Sequence, residues 1–212
     1  EGLEFGEAQY DEIDAYCRSV GIDWFASAWD IPSQKFMRKY KLSHNKVASA
    51  MVTHPDFLES VAEEKKPTFL STGMCTWEEI DRAVAIFKKH DCPLVLLHTV
   101  SEYPAPENVL NIGVMHALRD RYNLPVGYSG HEASVSPSVI AAAQGAVAIE
   151  RHITLDRAMY GSDQSASLEE AGLRDMVAMI RKIPVVLGDG EKRITEKEVG
   201  VAGKLRYWKP AQ

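Results

Sequence analysis

Two histidines, a glutamate and a serine stand out within residues 127–152, GYSGHEASVSPSVIAAAQGAVAIERH. Imidazole nitrogens and carboxylate oxygens bind divalent cations, and both groups also carry protons in catalysis. The segment reads as strand, loop, helix, strand. LPVGYSGH is an apolar run ending in Ser129 and His131, SPSVIAAAQGA is a small-residue helix, and VAIERH is a second strand ending in Glu150 and His152. Side chains alternate faces along a strand, so Ser129 and His131 share one face, as do Glu150 and His152. A crossover helix makes the two strands parallel and brings both carboxyl ends to one rim. His131 and His152 can then share a metal, with Glu150 beside one of them. The alternative is a pair of hydrogen-bonded structural histidines near a sheet edge.

The elements that must position these residues repeat along the chain. Residues 5–20 place Tyr10, Ile13, Cys17 and Val20 on one helical face. IDWFASAW (22–29) reads as a strand, followed by a short helix with Phe36, Met37 and Tyr40. NKVASAM (45–51) is a strand, 56–64 a helix, and PTFLSTG (67–73) a strand bounded by proline and glycine. Thr76 and Glu79 form a capping box that opens a helix with Trp77, Ile80, Val84 and Phe87 at helical spacing. PLVLLHTV (93–100) is a strand, and helices follow around 111–122 and 168–182. Strands alternating with helices predict a parallel α/β sheet, and continuously apolar strands predict burial on both faces. Six strands fall short of the eight units of a (β/α)₈ barrel and equally suit a doubly wound open sheet, so counting does not choose between them.

Composition is that of an ordinary globular chain. Of 212 residues, 45% are hydrophobic and 25% charged, and the net charge is −6. An acidic balance of this kind predicts neither a nucleic-acid partner nor an anionic membrane surface. No apolar run approaches the ~18 residues of a membrane span. Cys17, Cys75 and Cys92 are scattered and lack paired spacing, which predicts free thiols in a reducing cytoplasmic compartment. The sequence reads as a single domain over 1–212, with no boundary before about residue 185.

Polar residues collect at the strand ends: Ser27, then Lys46 and Ser49, Ser71 and Thr72, Thr99 and Ser101, Ser129 and His131, and Glu150 and His152. Every strand contributes to one rim, which is the pattern of a barrel, whereas an open sheet gathers its ligand residues at one switch point. Lys46 lies inside an apolar strand, where an unpaired ammonium is costly, so it requires an anionic partner or ligand. Hydroxyls and a lysine around the Gly73 turn suit a phosphate or carboxylate. Each serine taken singly also suits a turn or helix cap. Tyr103, before Pro104, is a substrate contact or a turn brace, and Asp163 is an exposed turn carboxylate or a residue folding over the rim. His44, His54, His90, His98 and His116 receive no functional role.

The blocks KVAS, LSTGM, SEYP, GYSGHE, AIERHITLDR and GSDQSASL resemble, in this order, those of the sialic acid synthase family. That family comprises the N-acetylneuraminate synthases and related nonulosonic acid synthases. The resemblance implies a (β/α)₈ TIM barrel of which about six units are present here. It implies condensation of phosphoenolpyruvate with an N-acylated mannosamine-type sugar, releasing phosphate and a nine-carbon keto acid. His131 and His152 would hold a divalent metal, Mn²⁺ or Mg²⁺, and Glu150 would position or deprotonate the attacking water. Ser27, Lys46, Ser49, Ser71 and Ser129 would bind phosphoenolpyruvate, with Ser101 on the same rim, and Tyr103 and Asp163 would orient the sugar. Met51 stands where N-acetylneuraminate-making members have a glutamate, which implies either a related acyl sugar or loss of the sugar contact altogether.

The resemblance further implies that two strands precede this stretch in the family and that an antifreeze-like domain follows it. An open barrel exposes unpaired strand edges, so a homo-oligomer is expected. Two other readings stand beside the synthase. One is a different phosphoenolpyruvate-dependent keto-deoxy sugar acid synthase, which needs an arginine pair for a sugar phosphate that no strand end here supplies. The other is an inactive remnant that binds metal, phosphoenolpyruvate or a partner subunit.

Overall fold

The computed structural model describes residues 4–208. The first unit, ending at Ile180, opens with α1 (Glu7–Val20) and α2 (Ile31–Met37). Five strands follow: β1 (Asn45–Val47), β2 (Thr68–Ser71), β3 (Leu94–Thr99), β4 (Val126–Gly130) and β5 (Ile149–Arg151). They alternate with α3 (Pro55–Ala62), α4 (Trp77–Lys89), α5 (Val114–Tyr122) and α6 (Ser136–Ala143), and α7 (Glu170–Leu187) comes after β5. Residues 181–208 form a separate compact unit that holds the end of α7 and α8 (Glu196–Leu205).

Strand order decides the architecture that counting left open. The five strands are parallel and lie in the order β1-β2-β3-β4-β5, so each pairs with its successor and the direction never reverses. A doubly wound sheet must reverse at its switch point, whereas sequential progression is that of a (β/α)₈ barrel. The chain is a parallel α/β sheet of barrel type, with five strands where the sequence suggests six. Residues 22–29 contribute one bridge, Ser27 to Lys46, in place of a strand. The apolar pattern is there, but the segment turns at Asp30, whose side chain accepts from the Ser33 amide at 2.6 Å and starts α2.

Alternation sorts the strand residues into two sets. Val47, Leu70, Leu94, Leu96, Val126 and Tyr128 face the helices and share one core with Phe57 and Val61 of α3, Phe87 of α4 and Leu118 of α5. The capping box of α4 forms as the sequence predicts: the Glu79 amide donates to Thr76 Oγ1 and the Thr76 amide to Glu79 Oε2. α1 buries no residue and is held through Tyr10, which packs on Trp24, Phe36 and Tyr40. The other set, Lys46, Ser71, Thr99, Ser129 and Glu150, faces the opposite side and lines one cleft.

The sheet is curved. β1 and β5 are its outermost strands, and four strand spacings of a flat sheet separate them by about 19 Å, beyond the joint reach of a lysine and a glutamate side chain. Lys46 Nζ of β1 nevertheless lies 3.7 Å from Glu150 Oε1 of β5. Only a sheet curling toward closure brings these ends together. Tight contact on the concave side shows at Gly127, where an added Cβ would lie 2.6 Å from the Ala148 carbonyl oxygen and 2.7 Å from Leu97 Cδ2. A Gly127→Ala substitution is therefore expected to destabilise the chain by about 1–3 kcal/mol, the usual range for overpacking, measured as a lower urea midpoint.

Candidate functional site

Register stacks the concave residues in levels. Thr99 pairs with Ser129, and Ser129 with Glu150, so these three stand at one height on β3, β4 and β5. Two residues further on, Ser101, His131 and His152 form the next level, at the mouth. All eleven predicted site residues line a single cleft of about 610 Å³: Ser27, Lys46, Ser49, Ser71, Ser101, Tyr103, Ser129, His131, Glu150, His152 and Asp163.

On the floor, Lys46 is only 7% exposed. Its ammonium donates to Ser71 Oγ at 2.8 Å and to the Val47 carbonyl at 3.1 Å, with Glu150 as the anion the sequence requires. Ser129 Oγ donates to the same Glu150 oxygen at 2.7 Å. Burial holds the lysine below its ordinary value of 10.5, and Glu150 partly restores it. Ser49 Oγ accepts from the Gly73 amide at 2.9 Å, while a Cβ on Gly73 would lie 2.2 Å from Ser101 Oγ. Glycine is what lets the β2 turn approach these hydroxyls. Ser27 Oγ donates to the Lys46 carbonyl at 3.4 Å.

At the mouth, three rings gather. His131 packs on Tyr103 with centroids 4.1 Å apart and lies 5.2 Å from His152, and Tyr103 meets His152 edge-on at 5.8 Å. His131 Nδ1 is 2.7 Å from the Val100 carbonyl oxygen, which can only accept, so Nδ1 carries the proton and Nε2 keeps its lone pair. Burial lowers the His131 pKa, opposed in part by that bond, and favours the neutral ring. Asp163 Oδ2 stands 3.6 Å from His152 Nδ1, so Asp163 does fold over the rim. Burial first, then the Asp163 and Glu150 charges, raises the Tyr103 phenol.

A neutral imidazole whose Nδ1–H is tied to a carbonyl is the usual state of a metal-ligating histidine, and His131 has that form, while His152 offers its ring beside the Asp163 carboxylate. Among the described residues, no group of three or more His, Cys, Asp or Glu side chains is arranged to hold a metal. A cation here would take two protein nitrogens and keep its other positions open.

Several lining residues carry no role in the sequence reading. Trp29 and Met74 border the cleft and are exposed, each two residues beyond a strand-end hydroxyl. Period-two alternation from Ser27 is the signal that would have found Trp29, whereas Met74 lies in the turn after β2 at φ 61°, off the cleft phase of Ser71. Met51 behaves differently from its neighbours: Ser49 and Ala50 line the cleft, but Met51, in the turn that follows β1, is 7% exposed and packs in the apolar core. Of the remaining histidines, His98 Nε2 lies 2.7 Å from the Leu110 carbonyl and His54 caps α3. Burial pushes the Cys75 thiol up to about 11, which makes it a poor nucleophile. No helix among the described residues is long and apolar enough to cross a membrane.

The chain has relatives among known proteins. The NeuB family model matches residues 1–192. The chain is 32% identical to N,N'-diacetyllegionaminic acid synthase of Legionella pneumophila over 209 residues, covering 96% of this chain and 59% of that protein. It is 34% identical to human N-acetylneuraminate-9-phosphate synthase over 204 residues, covering 96% of this chain and 57% of that protein. The fold superposes with a TM-score of 0.86 and 31% identity on a crystal structure of N-acetylneuraminic acid synthetase from Leptospira borgpetersenii in complex with citrate, over 96% of this chain and 73% of that one. The chain belongs to the NeuB family and spans less than three-fifths of the length of these two curated relatives.

The buried ammonium supplies a pH test. Because the folded Lys46 pKa lies below 10.5, the unfolded chain holds the proton more tightly, and the destabilisation by the buried charge fades as pH rises toward 10.5. The stability of the native chain relative to a Lys46→Met variant is therefore expected to climb as pH rises over that window, read by urea denaturation at each pH.

Proposed function

We propose that this chain carries the phosphoenolpyruvate- and metal-binding portion of a nonulosonic acid synthase. The reaction joins C3 of phosphoenolpyruvate to the aldehyde carbon of an N-acylated mannosamine-type sugar. Water adds at C2, and phosphate leaves to give the keto acid. One observation carries the reading: Lys46, Ser71, Ser129 and Glu150 meet by hydrogen bond or ion pair on the cleft floor, with Ser129 and Glu150 one level below the two histidines.

Lys46 and the hydroxyls of Ser27, Ser49, Ser71, Ser101 and Ser129 are donors suited to a phosphate and a carboxylate in a desolvated floor. Glu150 takes the proton of the water that adds at C2, with Lys46 and Ser129 holding its carboxylate in place. Tyr103 and Asp163 orient the sugar hydroxyls at the mouth. His131 and His152 hold Mn²⁺ or Mg²⁺, and a divalent ion there supplies Lewis-acid polarisation of a carbonyl. The curated relatives are named for different sugars, a diacetyllegionaminic acid and a neuraminate 9-phosphate, and the family alone does not select one. We further read the two sheet edges as covered by self-association in a cytoplasmic homo-oligomer.

Binding tests this without turnover. Isothermal titration is expected to show phosphoenolpyruvate bound to the chain and at least tenfold weaker binding by a folded Lys46→Met variant; unaltered affinity would remove the lysine from the anion site. Electron paramagnetic resonance is expected to show Mn²⁺ bound by the native chain and released in His152→Ala. Equal Mn²⁺ binding by both proteins would sink the two-histidine site. Metal and phosphoenolpyruvate binding without condensation in the full-length protein would favour the inactive-remnant reading.

A further inference from the structure

Glu132 and Arg151 form an ion pair with no exposure to solvent, and nothing in the cleft chemistry uses it. Their side chains are 0% and 1% exposed, with Arg151 Nη1 3.1 Å from Glu132 Oε1. Burial this complete requires the remaining polar atoms to be satisfied, and most are. Tyr128 donates its hydroxyl to Glu132 Oε2 at 2.9 Å, and Ser138 of α6 donates to Oε1 at 3.3 Å. Arg151 Nη1 also donates to Ser138 Oγ at 3.1 Å and to the Ser134 carbonyl at 2.9 Å, and Nη2 donates to the Glu132 carbonyl. Of the pair's side-chain atoms, Arg151 Nε is buried without a partner among the described residues.

The place of this pair in the chain gives it meaning. Glu132 directly follows His131, and Arg151 directly precedes His152. The β4–β5 ladder runs through Ser129–Glu150 and Gly130–Arg151 and stops there. Beyond it no ladder bond ties His131 to His152. The guanidinium takes over at that point: from β5 it grips both the backbone and the carboxylate of Glu132, and also the backbone of residue 134. Glycine at 130 is required for the fit, since a Cβ there would lie 2.6 Å from Glu132 Oε2. We propose that Glu132 and Arg151 are positioning residues that extend the β4–β5 connection past the end of the ladder and set the spacing and ring orientation of His131 and His152.

Glu132 acts on His131 through the main chain. The amide of Ala105 donates to the His131 carbonyl at 3.1 Å, and the His131 ring bonds the Val100 carbonyl. Both bonds require residue 131 to be held at one height relative to the β3 loop, which the anchored Glu132 provides. A loosened Glu132 frees the ring from Val100 and lets the proton move between Nδ1 and Nε2. The inference rests on the site reading above only for the consequence to metal binding; the geometry of the rings is independent of it.

The test is side-chain ¹⁵N–¹H correlation spectroscopy on the histidine-labelled chain free of metal, comparing the native protein with Glu132→Gln and with the milder Tyr128→Phe. Circular dichroism and a cooperative melt serve as fold controls, and Tyr128→Phe decides if Glu132→Gln does not fold. The native chain is expected to show His131 as the Nδ1–H form, and the folded variants a mixture of both forms, with an Mn²⁺ dissociation constant at least tenfold higher. Unchanged His131 and His152 signals in a folded variant overturn the proposal. Native protein that fails to bind Mn²⁺, while the variants still shift the histidine signals, removes the metal reading and leaves the positioning role intact.

Discussion

The contact between Lys46 and Glu150 is the constraint on which the arrangement depends. An ammonium taken out of water must meet a counter-charge, and this one finds it on the far edge strand of the same sheet. That contact exists only if the sheet curls, and curl requires the sequential strand order and the tight Gly127 contacts on the concave face. The same curl converts a row of separate strand ends into a cleft. Charge compensation and site assembly are therefore one event, since the carboxylate that neutralises the lysine also meets the Ser129 hydroxyl below the histidines.

The cleft is graded by height. Lower levels hold the ammonium, hydroxyls and a carboxylate, which suit a small polyanion, while the mouth holds aromatic rings and imidazoles. Parallel register produces this gradation, because neighbouring strands present equivalent positions at equal height and each two-residue step moves one level toward the rim. Behind the sheet, the Glu132–Arg151 pair uses the opposite phase of the same alternation. Residues 130 and 151 face the helices because 129 and 150 face the cleft, so support and site alternate along each strand.

Much of this was legible in the chain. Helix and strand alternation, the Thr76–Glu79 cap and the polar strand ends follow from local periodicity and turn chemistry, which neighbouring residues decide among themselves. The Lys46 requirement for an anion was equally visible, because desolvation penalises any unpaired ammonium in an apolar strand. What was not legible involved partners distant in sequence. Residues 22–29 have a strand's pattern yet make one bridge, since a strand exists only through its neighbour and Asp30 turns the segment into α2. Met51 shares a motif with Ser49, but the short turn after β1 rotates it into the core.

By itself, then, the sequence determined the parallel α/β class, the family and the residues able to do chemistry, because these depend on spacing and side-chain type along the chain. Tertiary structure decided which carboxylate serves Lys46, that Asp163 reaches His152, and that Glu132 pairs with Arg151. The physical reason is the closing of distance by sheet curvature and crossover connections. Charge pairs form between residues as many as 104 positions apart, from 46 to 150, and no local pattern in the chain encodes which distant partner the fold will bring within reach.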